Sequence, residues 1–248
     1  GVTGAAPGDR IATSEAQASY AEHFVVPAER LAHVPDAVDL ATAGALPLQG
    51  LTAHYLATSA SRVEPGDTVL VHAGAGGVGL LLTQLLAARG VRVLTTASTE
   101  AKRDLSRGAG AAESFDYSGF DEHVRELTAG AGAAVVYDGV GRDTFDASLR
   151  ALRVRGQIVL FGGASGQVPP FDLQRLNSGG SLSITRPSLV HFLRTPEERA
   201  WRYRELFAAI ASGALRVRIG AEFPLSEAAD AHRALESRAT TGKVLLRP

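Results

Sequence analysis

The sequence predicts an α/β protein that is built on a parallel sheet with helices on both of its faces. Short apolar runs alternate with helical stretches between residues 68 and 162, and this alternation is typical of strands joined by crossover helices. Glycine and proline turns separate the runs. The composition agrees, because 45% of the 248 residues are hydrophobic and 21% are charged, as in a folded globular protein.

The elements follow in order after the turn Pro65-Gly66-Asp67, where the alternating pattern begins. The predicted strands are 68–72, 91–96, 114–117, 133–138, 156–162 and, at the end of the series, 181–185. The predicted helices are 78–88, 99–107, 120–128 and 144–152. Gly90 is a suitable end for the first helix, because glycine readily adopts the left-handed conformation found after helices.

The regions on either side of this series are less regular. Residues 1 to about 50 contain short β-like runs at 10–12 and 23–26, which are separated by prolines. Beyond residue 186, we predict a long helix over 196–212 and short strands around a small helix over 226–238. The charges of both signs between residues 194 and 204 predict a solvated helix face.

Charge and composition exclude several classes of function. The 25 basic and 26 acidic residues give a net charge of −1, so nothing favours a nucleic-acid partner. The longest apolar stretch is interrupted by Thr83 and Gln84 and is too short to span a bilayer, and we expect a cytoplasmic protein. Because there is no cysteine, thiolate nucleophiles and Cys-ligated zinc are excluded within these residues. The seven histidines lack metal-binding spacing, and no serine lies in a GxSxG motif.

Methionine is also absent, and the chain opens within a turn-like stretch from residue 1 to residue 9. These two observations predict that a further N-terminal portion precedes Gly1. Modified methionines missing from the sequence would also account for the first observation. A signal or transit segment in the preceding portion stays open.

A glycine-rich loop follows the first strand of the series. Its pattern is Gly74-x-Gly76-x-x-Gly79, between strand 68–72 and helix 78–88. In such a loop Gly74 permits the tight turn, Gly76 lets a pyrophosphate approach the backbone, and Gly79 lets the helix pack closely on the strand. The helix N-terminus adds free N–H groups and a partial positive charge. The loop therefore predicts a Rossmann-type dinucleotide site, and a packing turn without a ligand is the weaker alternative.

The end of the second strand discriminates between NAD and NADP. An NAD site usually has Asp or Glu there to bind the ribose hydroxyls, whereas this sequence continues Thr95-Thr96-Ala97-Ser98. Small hydroxyl residues leave room for a 2′-phosphate, and Lys102 follows one helical turn later, so we predict NADPH. Two alternatives stay open, because Lys102 is also compatible with a solvated helix charge and Glu100 with a ribose ligand.

Three polar residues near the predicted site have structural interpretations. His54 and His72 are expected to be hydrogen-bonded structural groups rather than catalytic bases. Asp138 ends a strand at the carboxyl edge of the sheet, where ligand sites form. It either helps to orient the cofactor or caps the following turn.

Five motifs together resemble a known family. They are PLQGLTA at 47–53, HAGAGGVG at 72–79, YDGVG at 137–141, TRPS at 185–188 and TGKV at 241–244. Their order and spacing resemble the zinc-independent, zeta-crystallin-like quinone oxidoreductases of the medium-chain dehydrogenase/reductase superfamily, over the whole chain. The resemblance implies a Rossmann domain over about 51–186. It also implies a discontinuous, mainly β, GroES-like catalytic domain over 1–50 and 187–248, without the family's first strands.

The resemblance also implies a set of cofactor contacts. The 2′-phosphate pocket would use Ser98, Lys102 and Tyr117. The pyrophosphate would lie on Gly76, Gly77, Val78 and Gly79. The nicotinamide would meet Thr52, Val140, Phe161, Gly162 and Gly163, and Arg186 and Arg238 would line the cofactor cleft. Gly74 departs from the family, because relatives often have Ala there, and the expected effect is a looser turn that blocks nothing.

The resemblance further implies chemistry without a metal. Zinc-dependent relatives insert a Cys-rich lobe after the Pro-Gly-Asp-Arg turn, but here residues 19–24 of the following segment come after only a few residues. Leu48 also occupies the place of a Cys metal ligand. The implied activity is hydride transfer from NADPH to a quinone or similar conjugated carbonyl, with no catalytic acid assigned.

Two other functions stay open. One is an NADPH-dependent enoyl or 2-alkenal reductase, and the other is a nucleotide-binding protein of low activity, of the crystallin or RNA-associated type. Strand 181–185 is expected at the edge of the sheet, where relatives pair strands across a two-fold axis. We therefore expect a homodimer with a small-molecule substrate, and neither a membrane nor a nucleic acid as partner.

Overall fold

The computed structural model describes residues 3–237 and 240–248. In chain order, the strands are β1 (Ile11–Ala12), β2 (Ala32–His33), β3 (Thr68–Val71), β4 (Arg92–Thr96), β5 (Glu113–Phe115), β6 (Ala133–Asp138), β7 (Leu152–Leu160), β8 (Ser183–Thr185), β9 (Ile219–Pro224) and β10 (Lys243–Arg247). The helices are α1 (Leu40–Ala45), α2 (Pro47–Thr58), α3 (Gly77–Ala87), α4 (Glu100–Gly108), α5 (Phe120–Leu127), α6 (Phe145–Ala151), α7 (Gln174–Ser178), α8 (Pro196–Ala211) and α9 (Ala228–Glu236). The chain divides into two compact units, of which the first is Gly1–Thr52 with Phe192–Pro248 and the second is Ala53–His191.

The second unit is organised around a six-stranded sheet with the order β5-β4-β3-β6-β7-β8. Every neighbouring pair in this sheet is parallel. The order reverses between β3 and β6, which makes this the 3-2-1-4-5-6 arrangement of the Rossmann fold. The predicted fold class is confirmed, and β8 lies at the sheet edge as expected.

Helices on the two faces of this sheet bury its central strands. All six residues of β6 are buried, as expected for a parallel strand that is covered on both sides. Leu70 and Val136 from the strands pack in one cluster with Val124 and Leu149 from the helices. Burying side chains of this kind stabilises the fold by about 1.5–3 kcal/mol each. The cluster therefore fixes the positions of the strands, and with them the starting points of the loops that leave their carboxyl ends.

The elements predicted for this unit are present, and most of their ends lie within two residues of the expected positions. The largest difference is in β7, which starts at Leu152 rather than at residue 156. Its pairing with β6 is irregular between Ala133 and Val135, and Arg155 adopts a left-handed φ of 60° there. This bulge separates the early part of β7 from the regular ladder, which is why the apolar pattern alone did not include it.

The first unit contains, within the described residues, two small sheets. Strands β1 and β2 pair antiparallel, and β9 and β10 pair parallel with α9 between them. The predicted strand at 23–26 was wrong, because this segment lies on the surface, where Val25 is 93% exposed. Residues 40–58 form α1 and α2 instead of irregular structure. Asp39 caps α1 by accepting a hydrogen bond from the Thr42 N–H at 2.8 Å, a start signal that the sequence did carry.

The charged stretch of α8 is only partly solvated, which corrects the expectation for residues 194–204. Arg202 is fully buried and donates to the Phe192 carbonyl at 2.8 Å and to Glu198 at 2.6 Å. Arg199 is also buried and donates to Glu15 at 2.7 Å. A buried guanidinium requires a carboxylate and carbonyl partners, and each arginine has both kinds.

Helix α3 contains the most continuous apolar stretch of the sequence. It is 11 residues long and packs in the second unit with Leu80, Leu81 and Leu82 buried. A helix of this length rises about 17 Å, which is roughly half of the hydrocarbon thickness of a bilayer. Across residues 3–237 and 240–248, no helix combines the length and the apolar character needed to cross a membrane.

Candidate dinucleotide site

The carboxyl ends of the six parallel strands bring most predicted site residues of the second unit to one edge of the sheet. Along the chain, each of these strands is followed by predicted residues. The loop from Gly74 to Gly79 follows β3, Ser98 follows β4, and Tyr117 follows β5. Val140 follows β6, Phe161 to Gly163 follow β7, and Arg186 follows β8. Open parallel sheets bind ligands at this edge, next to the point where the strand order reverses. That point lies between β3 and β6, beside the glycine-rich loop.

The turn that leaves β3 has a different origin from the one expected. The left-handed residue is Ala73, with φ of 52°, and Gly74 has no positive φ. The N–H of Gly76 donates to the Ala73 carbonyl at 2.8 Å and closes the turn, while the N–H of Gly74 donates to the Thr96 carbonyl at 2.9 Å. Ala73 therefore provides the tight turn that the motif assigns to Gly74.

Gly74 is required for close packing. A Cβ atom on Gly74 would lie 2.6 Å from Thr95 Cβ and 2.6 Å from Ser106 Oγ, so an alanine there forces the neighbouring elements to move. The expectation that a glycine at this position blocks nothing stays a prediction, and close packing is a further requirement that the sequence did not reveal. Gly79 has the role that the motif predicts, because a Cβ atom on it would collide with the Ala73 carbonyl oxygen.

The N-terminus of α3 presents backbone N–H groups at the same edge. Gly76 is the N-cap residue, in an extended conformation, and no side chain caps the helix. A Cβ atom on Gly76 would meet only the Ala73 carbonyl oxygen, at 3.1 Å, so the approach to Gly77 and Val78 is free of side chains from this residue. Backbone N–H groups and the helix dipole together suit a diphosphate.

The segment after β4 carries Lys102 and an acid, Glu100, that is paired with arginines. Thr99 caps α4, accepting from the Lys102 N–H at 3.3 Å. Glu100 accepts hydrogen bonds from Arg103, at 2.6 and 2.9 Å, and from Arg107. These bonds, first from Arg103 and then from Arg107, lower the pKa of Glu100. Both carboxylate oxygens thus pair with arginines on the protein surface, which favours the NADP interpretation and leaves Glu100 as the weaker, ribose-binding alternative.

The loops after β6 and β7 form one interlocked turn. The N–H groups of Phe161 and Gly162 donate to the Asp138 carbonyl at 2.9 and 3.3 Å. A Cβ atom on Gly162 would collide with the Gly139 carbonyl oxygen. The Ser165 side chain donates to the Val140 carbonyl at 2.9 Å. The structure therefore brings Val140 together with the predicted residues of the β7 loop.

Asp138 is completely buried beneath this turn. Its Oδ1 accepts from the N–H groups of Val140 at 2.8 Å and Gly141 at 2.9 Å. The Thr144 hydroxyl donates to Oδ2 at 2.8 Å, and the Ser148 hydroxyl donates to it at 3.2 Å. Asp138 therefore caps the turn, one of its two expected roles, and it does so through the segment that contains a predicted cofactor contact.

His72 is a structural group, as expected. Its Nδ1 lies 2.8 Å from Thr96 Oγ1, and its Nε2 lies 2.9 Å from Ser148 Oγ. The ring is 1% exposed, and Tyr117 stacks on it at a centroid distance of 6.1 Å. Burial lowers the pKa of His72 to about 4, against the opposing effect of the Asp138 charge, so the ring is neutral at pH 7.

Three residues of this arrangement had no sequence signal of their own. Thr96, Thr144 and Ser148 are small hydroxyl residues, and nothing in their spacing marks them as partners of a buried histidine and aspartate. The available signal was indirect, because Thr95 and Thr96 interrupt an otherwise apolar buried strand. A buried hydroxyl needs a hydrogen-bond partner, and that need points to a polar neighbour.

The remaining predicted residues are Thr52, Arg186 and Arg238. Thr52 is in α2, where its hydroxyl donates to the Leu48 carbonyl at 2.7 Å, and it belongs to the first unit. Arg186 lies near the buried Tyr55 phenol. Burial raises the pKa of Tyr55 to about 12, and the positive charge of Arg186 opposes this increase. Arg238 lies outside the described residues.

The side chains do not offer a metal site in the part of the chain that the structure describes. No three His, Cys, Asp or Glu side chains come together there as metal ligands. Leu48, at the place of a Cys ligand in zinc-dependent relatives, is an exposed residue of α2. His54 is buried in the same helix, with Nδ1 3.5 Å from the Thr58 hydroxyl, and is a structural group as expected.

A parallel sheet in this strand order, with a glycine-rich loop at its switch point and helix N–H groups beside the loop, defines a dinucleotide-binding domain of the dehydrogenase/reductase class. Comparison with known proteins narrows this class. A family model described as zinc-binding dehydrogenase matches residues 109–246. The quinone oxidoreductase of Pseudomonas aeruginosa is 42% identical over 244 residues, which is 97% of this chain and 75% of that protein.

Two further proteins are similar over nearly the whole chain. A mycobacterial protein solved in complex with NADPH is 54% identical, with a TM-score of 0.94 over 97% of this chain and 76% of that one. A 2-haloacrylate reductase of Burkholderia sp is 39% identical over 254 residues, which is 100% of this chain and 76% of that protein. The chain belongs to the quinone oxidoreductase family of medium-chain dehydrogenases/reductases, which confirms the resemblance seen in the sequence.

We predict that the two loop glycines separate stability from binding. Gly74→Ala should lower the free energy of unfolding by about 1–3 kcal/mol, because its Cβ has no space. Gly76→Ala should change that free energy by less than about 1 kcal/mol but weaken dinucleotide binding about tenfold or more, because its methyl group faces the phosphates. Urea denaturation and calorimetric titration measure the two effects. Equal losses of stability in both variants would contradict this assignment.

The buried His72 should make stability depend on pH in a defined window. Above pH 6.5 the ring is neutral in both states, so it adds no pH dependence. Between pH 6.5 and about 4 only the unfolded chain takes up the proton. The free energy of unfolding should therefore decrease as the pH is lowered, by up to about 1.4 kcal/mol per pH unit. His72→Gln should remove this slope, and His123→Gln, at an exposed histidine, should leave it in place. Chemical denaturation at pH 5, 6, 7 and 8 provides the measurement.

Proposed function

We propose that this chain is an NADPH-dependent oxidoreductase that transfers a hydride to a quinone or a similar conjugated carbonyl compound without zinc. The proposal is carried by the sheet edge at the carboxyl ends of the strands, called the cofactor edge below, in a chain of the quinone oxidoreductase family. This edge has the α3 N-terminus with glycine at its N-cap, Lys102, and an acid, Glu100, that is paired with arginines. The mycobacterial relative solved with NADPH supports the choice of cofactor.

The resemblance to the family supplies the residues that would hold NADPH, and most of those in the second unit lie at this edge. The diphosphate would lie on the N–H groups of Gly76, Gly77, Val78 and Gly79. The 2′-phosphate would be bound by Ser98, Lys102 and Tyr117. The nicotinamide would meet Val140, Phe161, Gly162, Gly163 and Thr52, and Arg186 and Arg238 would line the cofactor cleft. The engagement of Glu100 with Arg103 and Arg107 supports a phosphate over a free ribose hydroxyl, since the two arginines compensate the charge of this carboxylate.

The protein supplies orientation rather than a reactive side chain. NADPH provides the hydride from C4 of its nicotinamide. The interlocked turn that contains Val140 and Gly162 is rigid, because backbone hydrogen bonds and the buried Asp138 carboxylate hold it. A fixed turn of this kind restricts the nicotinamide to one orientation, which is the main contribution that a protein makes to hydride transfer. A quinone is already a strong electrophile, and the proton comes from solvent or a hydroxyl group.

Zinc does not fit the residues of this chain. The matching family model is described as a zinc-binding dehydrogenase. However, the sequence has no cysteine, and Leu48 occupies the place of a Cys ligand. A leucine side chain has no donor atom for a metal. The proposed hydride transfer therefore involves no zinc.

A second candidate is reduction of a conjugated C=C bond. The similarity to a 2-haloacrylate reductase favours it, because an acrylate is an alkene conjugated to a carboxylate. The same hydride donor and the same cofactor edge serve both reactions, and the substrate pocket distinguishes them. A nucleotide-binding protein of low activity has no observation of this kind in its favour.

The arrangement of the chain completes the proposal. We assign residues 51–186 to the Rossmann domain, and 1–50 with 187–248 to a GroES-like catalytic domain. The structure divides into two units whose boundaries along the chain fall after Thr52 and before Phe192, and this division supports the assignment. The edge position of β8 supports a homodimer in which the 181–185 strand pairs with its copy, since an exposed edge strand offers unpaired backbone groups.

The activity is tested by oxidation of NADPH, followed by absorbance, with 1,4-benzoquinone, 1,2-naphthoquinone and a panel of enals and acrylates. We expect turnover with the quinones that is unchanged after dialysis against a chelator. Tight NADPH binding with no quinone turnover would overturn the quinone assignment, and turnover restricted to the alkenes would support the second candidate. Activity that is lost on chelation and restored by Zn²⁺ would overturn the zinc-independent mechanism.

Lys102 should determine the preference for NADPH. Lys102→Ala removes a positive charge from the proposed 2′-phosphate pocket, so the KM for NADPH should rise about tenfold or more while the KM for NADH changes less than about twofold. Arg92→Ala is the matched control, because it removes a cation from the opposite end of β4. Equal effects of Lys102→Ala on both cofactors would contradict the role of this residue.

A further inference from the structure

Four polar side chains form one hydrogen-bonded line through the interior of the second unit. They are Thr96, His72, Ser148 and Asp138, and none is more than 1% exposed. The distances along the line are 2.8 Å from Thr96 Oγ1 to His72 Nδ1, 2.9 Å from His72 Nε2 to Ser148 Oγ, and 3.2 Å from Ser148 Oγ to Asp138 Oδ2. The line crosses from the end of β4, over β3, to the end of β6.

The direction of every hydrogen bond in the line follows from the chemistry of its last member. A carboxylate only accepts hydrogen bonds, so the Ser148 hydroxyl donates to Asp138. Ser148 Oγ must then accept from an Nε2–H of His72. The Nδ1 of this neutral ring carries no proton and accepts from the Thr96 hydroxyl. A single tautomer of His72 is therefore compatible with the line, and burial supports the neutral ring by lowering the pKa of this histidine.

Aromatic contacts fix the ring at the centre of the line. Tyr117 stacks on His72 with an interplanar angle of 22°, and Phe120 meets it edge-on at a centroid distance of 4.7 Å. Because two aromatic rings pack against it, the imidazole has little freedom to rotate out of its two hydrogen bonds.

The two ends of the line reach separate parts of the cofactor edge. At one end, the Thr96 carbonyl accepts from the Gly74 N–H at 2.9 Å, and Ser98 follows two residues later. At the other end, Asp138 Oδ1 accepts from the N–H groups of Val140 and Gly141 at 2.8 and 2.9 Å. The first end thus holds the segment proposed for the adenosine and phosphates, and the second end holds the segment proposed for the nicotinamide.

We propose that this line sets the position of the two halves of the bound dinucleotide relative to each other, with His72 and Ser148 as positioning residues. The inference rests on the proposed function, since it concerns the same cofactor edge. Buried polar groups that satisfy one another have one strongly favoured arrangement, so a displacement at one end is resisted at the other. When one half of the cofactor shifts its end of the line into the binding position, the other end moves with it toward the position that the second half needs, and the two halves bind cooperatively.

Two fragments of NADPH test this cooperativity on the full-length protein. Adenosine 2′,5′-bisphosphate represents one half, and reduced nicotinamide mononucleotide represents the other. In the wild type, a saturating concentration of the bisphosphate should tighten binding of the mononucleotide by about fivefold or more. Ser148→Ala should reduce this coupling to less than about twofold, while the dissociation constant of each fragment alone changes less than about twofold. If Ser148 were needed only for folding, its substitution would weaken the binding of both fragments together.

Variants at the far end of the line make the test specific. Thr96→Val removes the hydroxyl that donates to His72, and it should reduce the coupling as Ser148→Ala does. The double variant should lose no more of the coupling than either single variant, because the two single variants and the double variant all break the same line. The matched controls are Thr95→Val, which breaks the 2.8 Å hydrogen bond to Ser114, and Ser106→Ala, whose equally buried Oγ has no partner among the described residues. Both controls should keep the coupling of the wild type.

The outcomes separate the inference from the proposed function. Failure of the wild type to bind NADPH overturns the proposed function, and with it the inference. NADPH binding with no coupling in the wild type, or with coupling that survives in Ser148→Ala, overturns the positioning role alone. Loss of coupling in the control variants also overturns it. Nitrogen-15 NMR of the wild type gives an independent test that needs no variant, because His72 should carry its proton on Nε2 at pH 7, and a proton on Nδ1 would contradict the line.

Discussion

A carboxylate that is entirely removed from water must be surrounded by hydrogen-bond donors, and at Asp138 this requirement shapes the cofactor edge of the sheet. Its donors are two backbone N–H groups of the following turn and two hydroxyl groups at the start of α6 and within it. The turn cannot relax without leaving the carboxylate short of donors. The path of the chain after β6, and the loop after β7 that binds to it, therefore depend on this one charge.

The same edge shows how glycine motifs combine two different constraints. Gly79 and Gly74 are necessary because atoms of the fold already occupy the space of a side chain. Gly76 is different, because its surroundings nearly admit a Cβ atom and its lack of a side chain serves the approach of a ligand. The turn itself is made by Ala73, which accepts a left-handed backbone conformation at a cost that the surrounding packing offsets.

Much of the second unit could be predicted from the sequence, because its strands are apolar runs that alternate with helical stretches. The glycine-rich loop and the absent acid after β4 also identified the class of cofactor. The hydroxyl partners of His72 and Asp138 could not be predicted, since Thr96 and Ser148 are 52 residues apart in the chain and only the parallel topology brings them together. The burial of Arg202 was missed for a related reason, because the Glu198 carboxylate and the Phe192 carbonyl accept hydrogen bonds from it only after α8 has formed.

The near-contact between the backbones of Gly139 and Gly162 restricts how this scaffold can diverge. A side chain at Gly162 would collide with the Gly139 carbonyl oxygen and disturb the hydrogen bonds that its loop makes with residue 138, whereas one at Gly139 would press on the Phe161 ring. Changes in what the enzyme reduces must then accumulate elsewhere in the chain, while this pair of loops stays as it is. An enzyme built in this way can acquire new substrates while it keeps its binding of the coenzyme.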